Sequence, residues 1–136
     1  LILNRVPPPF RLLATLAWQP DTGYHLLDRH LRRLERASTY FGFRFLAGEV
    51  QARLADAANA FPAAGQRVRL QVDLHGDSTI THGPLPVPSD RPWRVTLSAQ
   101  PVDTSDPFVY FKTTQRAVYE RTRAACPEFD DVLLWN

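Results

Sequence analysis

The sequence contains one lysine, one cysteine and no methionine, and each scarcity narrows what the chain can be. A lone cysteine, Cys126, cannot close an internal disulfide, so a disulfide-stapled secreted scaffold is excluded and a reducing compartment is expected. With no second thiol nearby and Pro127 next to it, Cys126 reads as a small apolar packing residue rather than a nucleophile. Long apolar runs are missing too. The stretch from Val132 to Trp135 is far shorter than a membrane span, and the first residues lack a basic-then-apolar signal pattern. A soluble, cytoplasmic protein with no membrane partner is therefore expected. There is no glycine-rich phosphate loop and no serine nucleophile elbow. The net charge of +2 is too small to demand a polyanionic partner. What is present, 44% hydrophobic residues in 136, suffices for a core in one domain, or in a small domain plus the start of another.

The lysine scarcity is the sharpest signal. Of 16 basic residues all but Lys112 are arginine. A lysine can lose its proton and act as a nucleophile, whereas arginine stays charged near neutral pH. A GC-rich genome also exchanges lysine for arginine, so the count alone decides nothing. Lys112 stands after a loop and just before an expected helix start, where the positive helix end and burial would both disfavour its charged form. The plain alternative is a lysine at a surface corner, and the residues alone leave the two open.

Along the chain, "VPPPF" (6–10) reads as a stiff proline-rich linker feeding a strand over 10–18, with turn formers at 19–23 and a return strand at 24–27, a hairpin. A helix is expected over 28–43, with Asp28 as N-cap, Leu27, Leu31, Leu34, Ser38 and Phe41 on one face, and Gly42 ending it. Its other side carries Arg29, Arg32, Arg33 and Arg36. These could track nucleic-acid phosphates, although Asp28 and Glu35 among them favour a solvated helix face. A second helix is expected over 49–61, ending before Pro62, then a hairpin of strands 66–74 and 79–85. His75 and His82 flank that hairpin with Asp73 and Asp77, but their spacing matches no metal-ligand pattern, and no metal is expected. Four prolines in 84–92 mark the best boundary. Beyond it come a strand over 93–102, a loop over 103–108, a helix over 113–126 with Thr113 or Thr114 near its start, and a strand over 130–136. The class is mixed α/β (α+β), antiparallel early on, with a final β-α-β. The chain starts at Leu1 without methionine and stops at Asn136 just after an apolar strand, so more chain is expected on both sides.

Two blocks carry a resemblance. "LLDRHLRRLERASTYFGF" (26–43), followed about 70 residues later by "FKTTQRAVYERTRAACPEFDDVLLWN" (111–136), closely resembles the class IV aminotransferase family, whose members bind pyridoxal phosphate. The likeness is nearest to its 4-amino-4-deoxychorismate lyases in the form fused to aminodeoxychorismate synthase component I. The family pattern His-Leu-x-Arg-Leu falls on His30, Leu31, Arg32, Arg33 and Leu34, and Lys-Thr-Thr-x-Arg falls on Lys112, Thr113, Thr114, Gln115 and Arg116. The resemblance implies a small domain of hairpins and two helices over 1–88. Residues 89–136 would be the linker and the first β-α-β of a cofactor-binding large domain. It implies that Lys112 forms the Schiff base with pyridoxal phosphate and moves protons, and that Arg33 reaches the cofactor phosphate. The implied reaction converts aminodeoxychorismate to pyruvate and 4-aminobenzoate for folate synthesis, in a homodimer.

Departures from the pattern matter. Where the family has a glutamate-threonine-leucine run, this chain has Ala14, Thr15 and Leu16. The family also continues past Asn136 into a Gly-x-x-Thr-Glu segment whose glutamate contacts the pyridine nitrogen, so the chain by itself is expected to show little or no activity. Two other readings remain: a class IV aminotransferase of D- or branched-chain amino acids, and a non-catalytic or nucleic-acid-binding module using the arginine face.

Overall fold

This computed structural model describes residues 10–136; of the proline-rich linker only Phe10 falls within them. The described residues divide into two compact units between Pro86 and Val87.

In the first unit, period-two alternation builds a four-stranded sheet of order β2-β1-β3-β4, with every pair antiparallel. The strands are β1 (Leu12–Gln19), β2 (Gly23–Tyr24), β3 (Gln66–Val72) and β4 (Ser78–Pro84). Leu12, Ala14 and Leu16 of β1 and Val68, Leu70 and Val72 of β3 are buried, while Arg67 and Arg69 between them are exposed. The register pairs Ala14 with Leu70 and Leu16 with Val68, so the two apolar rows coincide. Helix α1 (Leu27–Phe41) buries Leu31, Leu34, Ala37 and Ser38, and α2 (Ala47–Ala58) buries Val50 and Leu54. Burying each such leucine contributes roughly 1.5–3 kcal/mol. Phe10 meets Phe41 edge-on at 4.9 Å and stacks on Phe43 at 5.4 Å.

Several boundaries differ from the sequence expectation. Asp28 is not the N-cap: Leu26 occupies that position in the left-handed region at φ 52°, and Asp28 lies in the first turn, where its charge suits the helix dipole. That turn at Leu26 also cuts the expected return strand to two residues. Gly42 closes α1 as expected, at φ 74° with its N–H donating to the Ser38 carbonyl. Helix α2 starts two residues earlier than expected and ends at Ala58, before a turn at 59–61.

The second unit is a β-α-β arrangement in which β5 (Val95–Leu97) pairs in parallel with β6 (Asp131–Leu133). Both strands are shorter than expected. An arginine fork holds their start: Arg91 donates to Asp130 at 2.7 and 2.6 Å, and the Arg94 N–H donates to the same carboxylate at 2.7 Å. The expected loop contains a helical turn, α3 (Pro107–Tyr110), capped by the Asp106 side chain accepting from the Phe108 N–H at 2.9 Å. The expected helix over 113–126 is shorter, α4 (Ala117–Ala124), and Thr113 and Thr114 lie outside it. Among the described residues no helix is long and apolar enough to cross a membrane.

Candidate cofactor site

Lys112 is half-buried in the segment between α3 and α4. Its neighbours are fixed on both sides. The Phe111 N–H donates to the Pro107 carbonyl at 3.0 Å, and Thr113 is 2% exposed. The Thr113 hydroxyl accepts from the Gln115 N–H at 3.1 Å and lies 3.3 Å from the Gln115 carbonyl, to which it donates, closing a side-chain turn. Because α4 begins only at Ala117, Lys112 does not sit at a helix start and the expected influence of the helix's positive end is withdrawn.

The last residue of the second block, Arg116, is the N-cap position of α4, with its guanidinium 4.8 Å from the Tyr119 ring centre. The Tyr119 hydroxyl in turn donates to the Val109 carbonyl of α3 at 3.3 Å. Arg116 and Tyr119 both line two cavities of the second unit, of about 510 and 620 Å³, and Lys112 lines neither. Sequence reasoning singled out no role for Tyr119. A tyrosine three residues after an arginine on a helix was the available signal.

Arg33 belongs to the first unit. Burial of Leu31 and Leu34 sets the rotation of α1, which leaves Arg29, Arg32, Arg33 and Arg36 exposed. One turn before Arg33, the His30 Nδ1 lies 3.2 Å from the Arg33 Nη2, within hydrogen-bond reach of the guanidinium. The candidate metal set dissolves into ordinary roles. Asp73 accepts from the His75 and Asp77 N–H groups, each at 2.9 Å, around Gly76 at φ 88°. His82 pairs with the Gln66 side chain at 2.9 Å. Among the described residues no group of three or more His, Cys, Asp or Glu is placed to hold a metal.

Ala14, where the resembled family carries glutamate, is fully buried opposite Leu70. A carboxylate there would need a buried partner, and alanine needs none.

The fold is that of the class IV aminotransferases. The family model described as amino-transferase class IV matches residues 14–136, and the chain belongs to this family. A Schizosaccharomyces pombe protein assigned as an aminodeoxychorismate lyase is 29% identical over 122 residues, 85% of this chain and 52% of that one. The chain thus spans about half the length of the curated relative it matches. The crystal structure of a Mesorhizobium loti protein assigned as an amino-acid aminotransferase superimposes with TM-score 0.80 at 30% identity, over 92% of this chain and 61% of that one. A hypothetical aminotransferase from Mycobacterium tuberculosis, solved with PLP (pyridoxal phosphate) bound, superimposes with TM-score 0.61 at 22% identity, over 91% of this chain and 51% of that one.

Each group, taken by itself in its own unit, has chemistry that suits such a cofactor: a half-buried primary amine at Lys112 can condense with an aldehyde, and an exposed guanidinium at Arg33 can bind the oxygens of a phosphate ester.

Proposed function

We propose that the whole protein is a pyridoxal-phosphate-dependent 4-amino-4-deoxychorismate lyase, forming 4-aminobenzoate and pyruvate on the route to folate. The observation that carries this reading is the only lysine of the chain, standing half-buried at the head of Lys-Thr-Thr-x-Arg inside the matched residues 14–136. The 29% identical relative assigned as a lyase supports the substrate. On this reading residues 1–88 are the small domain and 89–136 open the cofactor-binding domain. The protein works in the cytoplasm as a homodimer, fused to aminodeoxychorismate synthase component I, with no nucleic-acid partner.

Pyridoxal phosphate, when bound, supplies an electron sink for bond cleavage next to the substrate amine. Lys112 would hold the cofactor through Nζ, and the same amine would take a proton from the substrate carbon that bears the amino group and return one as pyruvate leaves. Arg33 would bind the phosphate with its fork, which His30 contacts at 3.2 Å.

The test is pyruvate and 4-aminobenzoate formation by the whole protein from aminodeoxychorismate, with no keto acid added. Formation of both, lost in Lys112→Ala, is the expected result. The second reading, an aminotransferase, is favoured by the 30% identical Mesorhizobium loti structure. It predicts no pyruvate from aminodeoxychorismate, and keto-acid-dependent loss of the amino group from a D- or branched-chain amino acid.

A further inference from the structure

The proline-rich stretch 84–92 joins the two units, and its two ends are held differently from its middle. On the upstream side, Pro84 pairs with Gln66 as the last residue of β4. The Leu85 N–H donates to the Gly65 carbonyl at 3.2 Å, and the Leu85 Cδ1 stands 2.7 Å from where a Cβ on Gly65 would lie. Leu85 is thus held by the first unit. On the downstream side, the Asp130 carboxylate collects the two nitrogens of the Arg91 fork at 2.7 and 2.6 Å and the Arg94 N–H at 2.7 Å. The Asp130 N–H in turn donates to the Arg94 carbonyl at 2.7 Å. The Ser89 hydroxyl donates to the Arg91 carbonyl at 3.1 Å and accepts from the Arg91 N–H at 3.3 Å, so Ser89 is carried along with Arg91.

Between these anchors lie Pro86, Val87 and Pro88. Among the described residues no hydrogen bond or ion pair holds any of the three, and Val87 is 89% exposed. Each proline fixes its own φ, and Val87 is kept out of the helical region by the proline after it, so this joint is extended and semi-rigid with a reach of about 9 Å. Residues 89–93 are also exposed, which leaves no packing to hold them. Among the described residues, the Arg91 fork is the one bond from that segment to the rest of the second unit. An exposed ion pair adds little to global stability. Here it closes on a carboxylate whose side chain is only 25% exposed and which the Arg94 N–H already fixes, a bidentate geometry that orders the segment it ends.

We propose that the Arg91–Asp130 fork is a latch that sets the free length of the tether between the two units. With the latch closed, the tether is Pro86–Pro88, a short extended strut. With it open, the free segment runs from Pro86 to Trp93 and gains Ser89, Asp90 and Arg91, none of which is followed directly by proline except Arg91. The tether then changes from a proline-stiffened strut to a longer chain with several free backbone dihedrals, while Arg94 stays bonded to Asp130 at the head of β5. The latch needs no cofactor and does not depend on the lyase reading.

The experiment is backbone amide relaxation by NMR on the 136-residue chain, wild type against Arg91→Gln. In the wild type, Ser89, Asp90 and Arg91 should have order parameters near about 0.85, like Leu97 and Val132 in the strands, and Val87 a value below about 0.6. In Arg91→Gln, the amides at 89, 90 and 91 should fall below about 0.6, while Arg94, Leu97 and Val132 keep their wild-type values. Because Arg91 is exposed and lies outside the strands, this substitution leaves the fold in place, and the unchanged strand amides verify it in the same spectra. Asp130→Ala, which removes the acceptor, should release the same three amides; if it unfolds the second unit, Arg91→Gln decides alone. Wild-type amides at 89–91 as mobile as Val87, a Val87 as ordered as the strands, or an Arg91→Gln protein that keeps 89–91 ordered would each overturn the proposal.

Discussion

At the scale of single residues, two titrations follow from the contacts. The Tyr24 hydroxyl donates to the Leu54 carbonyl at 2.7 Å, and burial pushes its pKa up to about 12. Its neutral form is the one the fold favours, so its contribution to stability is complete below the unfolded value near 10 and is lost as pH rises towards 12. Absorbance titration at 295 nm should show one late tyrosine, and Tyr24→Phe should remove that late phase. A wild-type titration with every tyrosine near the ordinary value would contradict this. Asp130 behaves in the opposite sense. Hydrogen bonding from Arg91 first, and from the Arg94 N–H second, holds its carboxyl well below the usual carboxylate range. The stability it contributes is present above about pH 4 and lost as pH falls further, through its lowered folded value. The melting-temperature difference between wild type and Asp130→Asn should therefore be largest near neutrality and shrink below about pH 3. Because Arg91 is largely exposed, the difference should be small and reduced by salt; a pH-independent difference would assign the effect to packing.

At the scale of elements, α1 shows what the sequence could and could not disclose. Its apolar face and Gly42 terminus were legible, because Leu31 and Leu34 at helical spacing and a glycine stop are local signals. Its start was not. Sequence logic places a side-chain cap at Asp28, yet the chain turns into the helix through Leu26 at φ 52°, which β-sheet geometry at Tyr24 and His25 imposes rather than the residue's own preference. That conformation costs a non-glycine residue roughly 1–2 kcal/mol. Since Leu26 is half exposed, Leu26→Gly should raise the melting temperature, and a lowered one would show that its side chain contributes more than its backbone costs. The α4 error is of the same kind. Lys-Thr-Thr-Gln-Arg reads as a helical first turn, but burial of Thr113 and its bond to Gln115 divert the backbone until Ala117. Lys112 stands out in the sequence as the only lysine, whereas the roles proposed for it and for Arg33 rest on motif resemblance. Nothing in local periodicity distinguishes Arg33 from Arg29, Arg32 or Arg36, and what sets it apart is the His30 contact.

At the scale of the whole molecule, the two units are unequal in what holds them. The first buries a continuous core of β1, β3, α1 and α2, whereas in the second only Ser98 and Thr113 are buried, and Trp93, Leu97 and Tyr110 are exposed. Amide exchange should accordingly be slowest at Leu12–Leu16 and Val68–Val72 and much faster at Val95–Leu97 and Asp131–Leu133; equal protection in both units would contradict this account. Leu54→Ala, at a fully buried position, should cost about 2–5 kcal/mol by denaturant unfolding. Joint neutralisation of the exposed Arg29, Arg32 and Arg36 should change stability by no more than about 0.5 kcal/mol per site. The central claim is that one amine of this chain is a cofactor anchor. It is tested most directly by incubating the protein with pyridoxal phosphate, reducing with borohydride and mapping the label by peptide mass. The account predicts label on the Lys112 peptide and none there in Lys112→Arg. Label confined to the terminal amine, or no label at all, would contradict it.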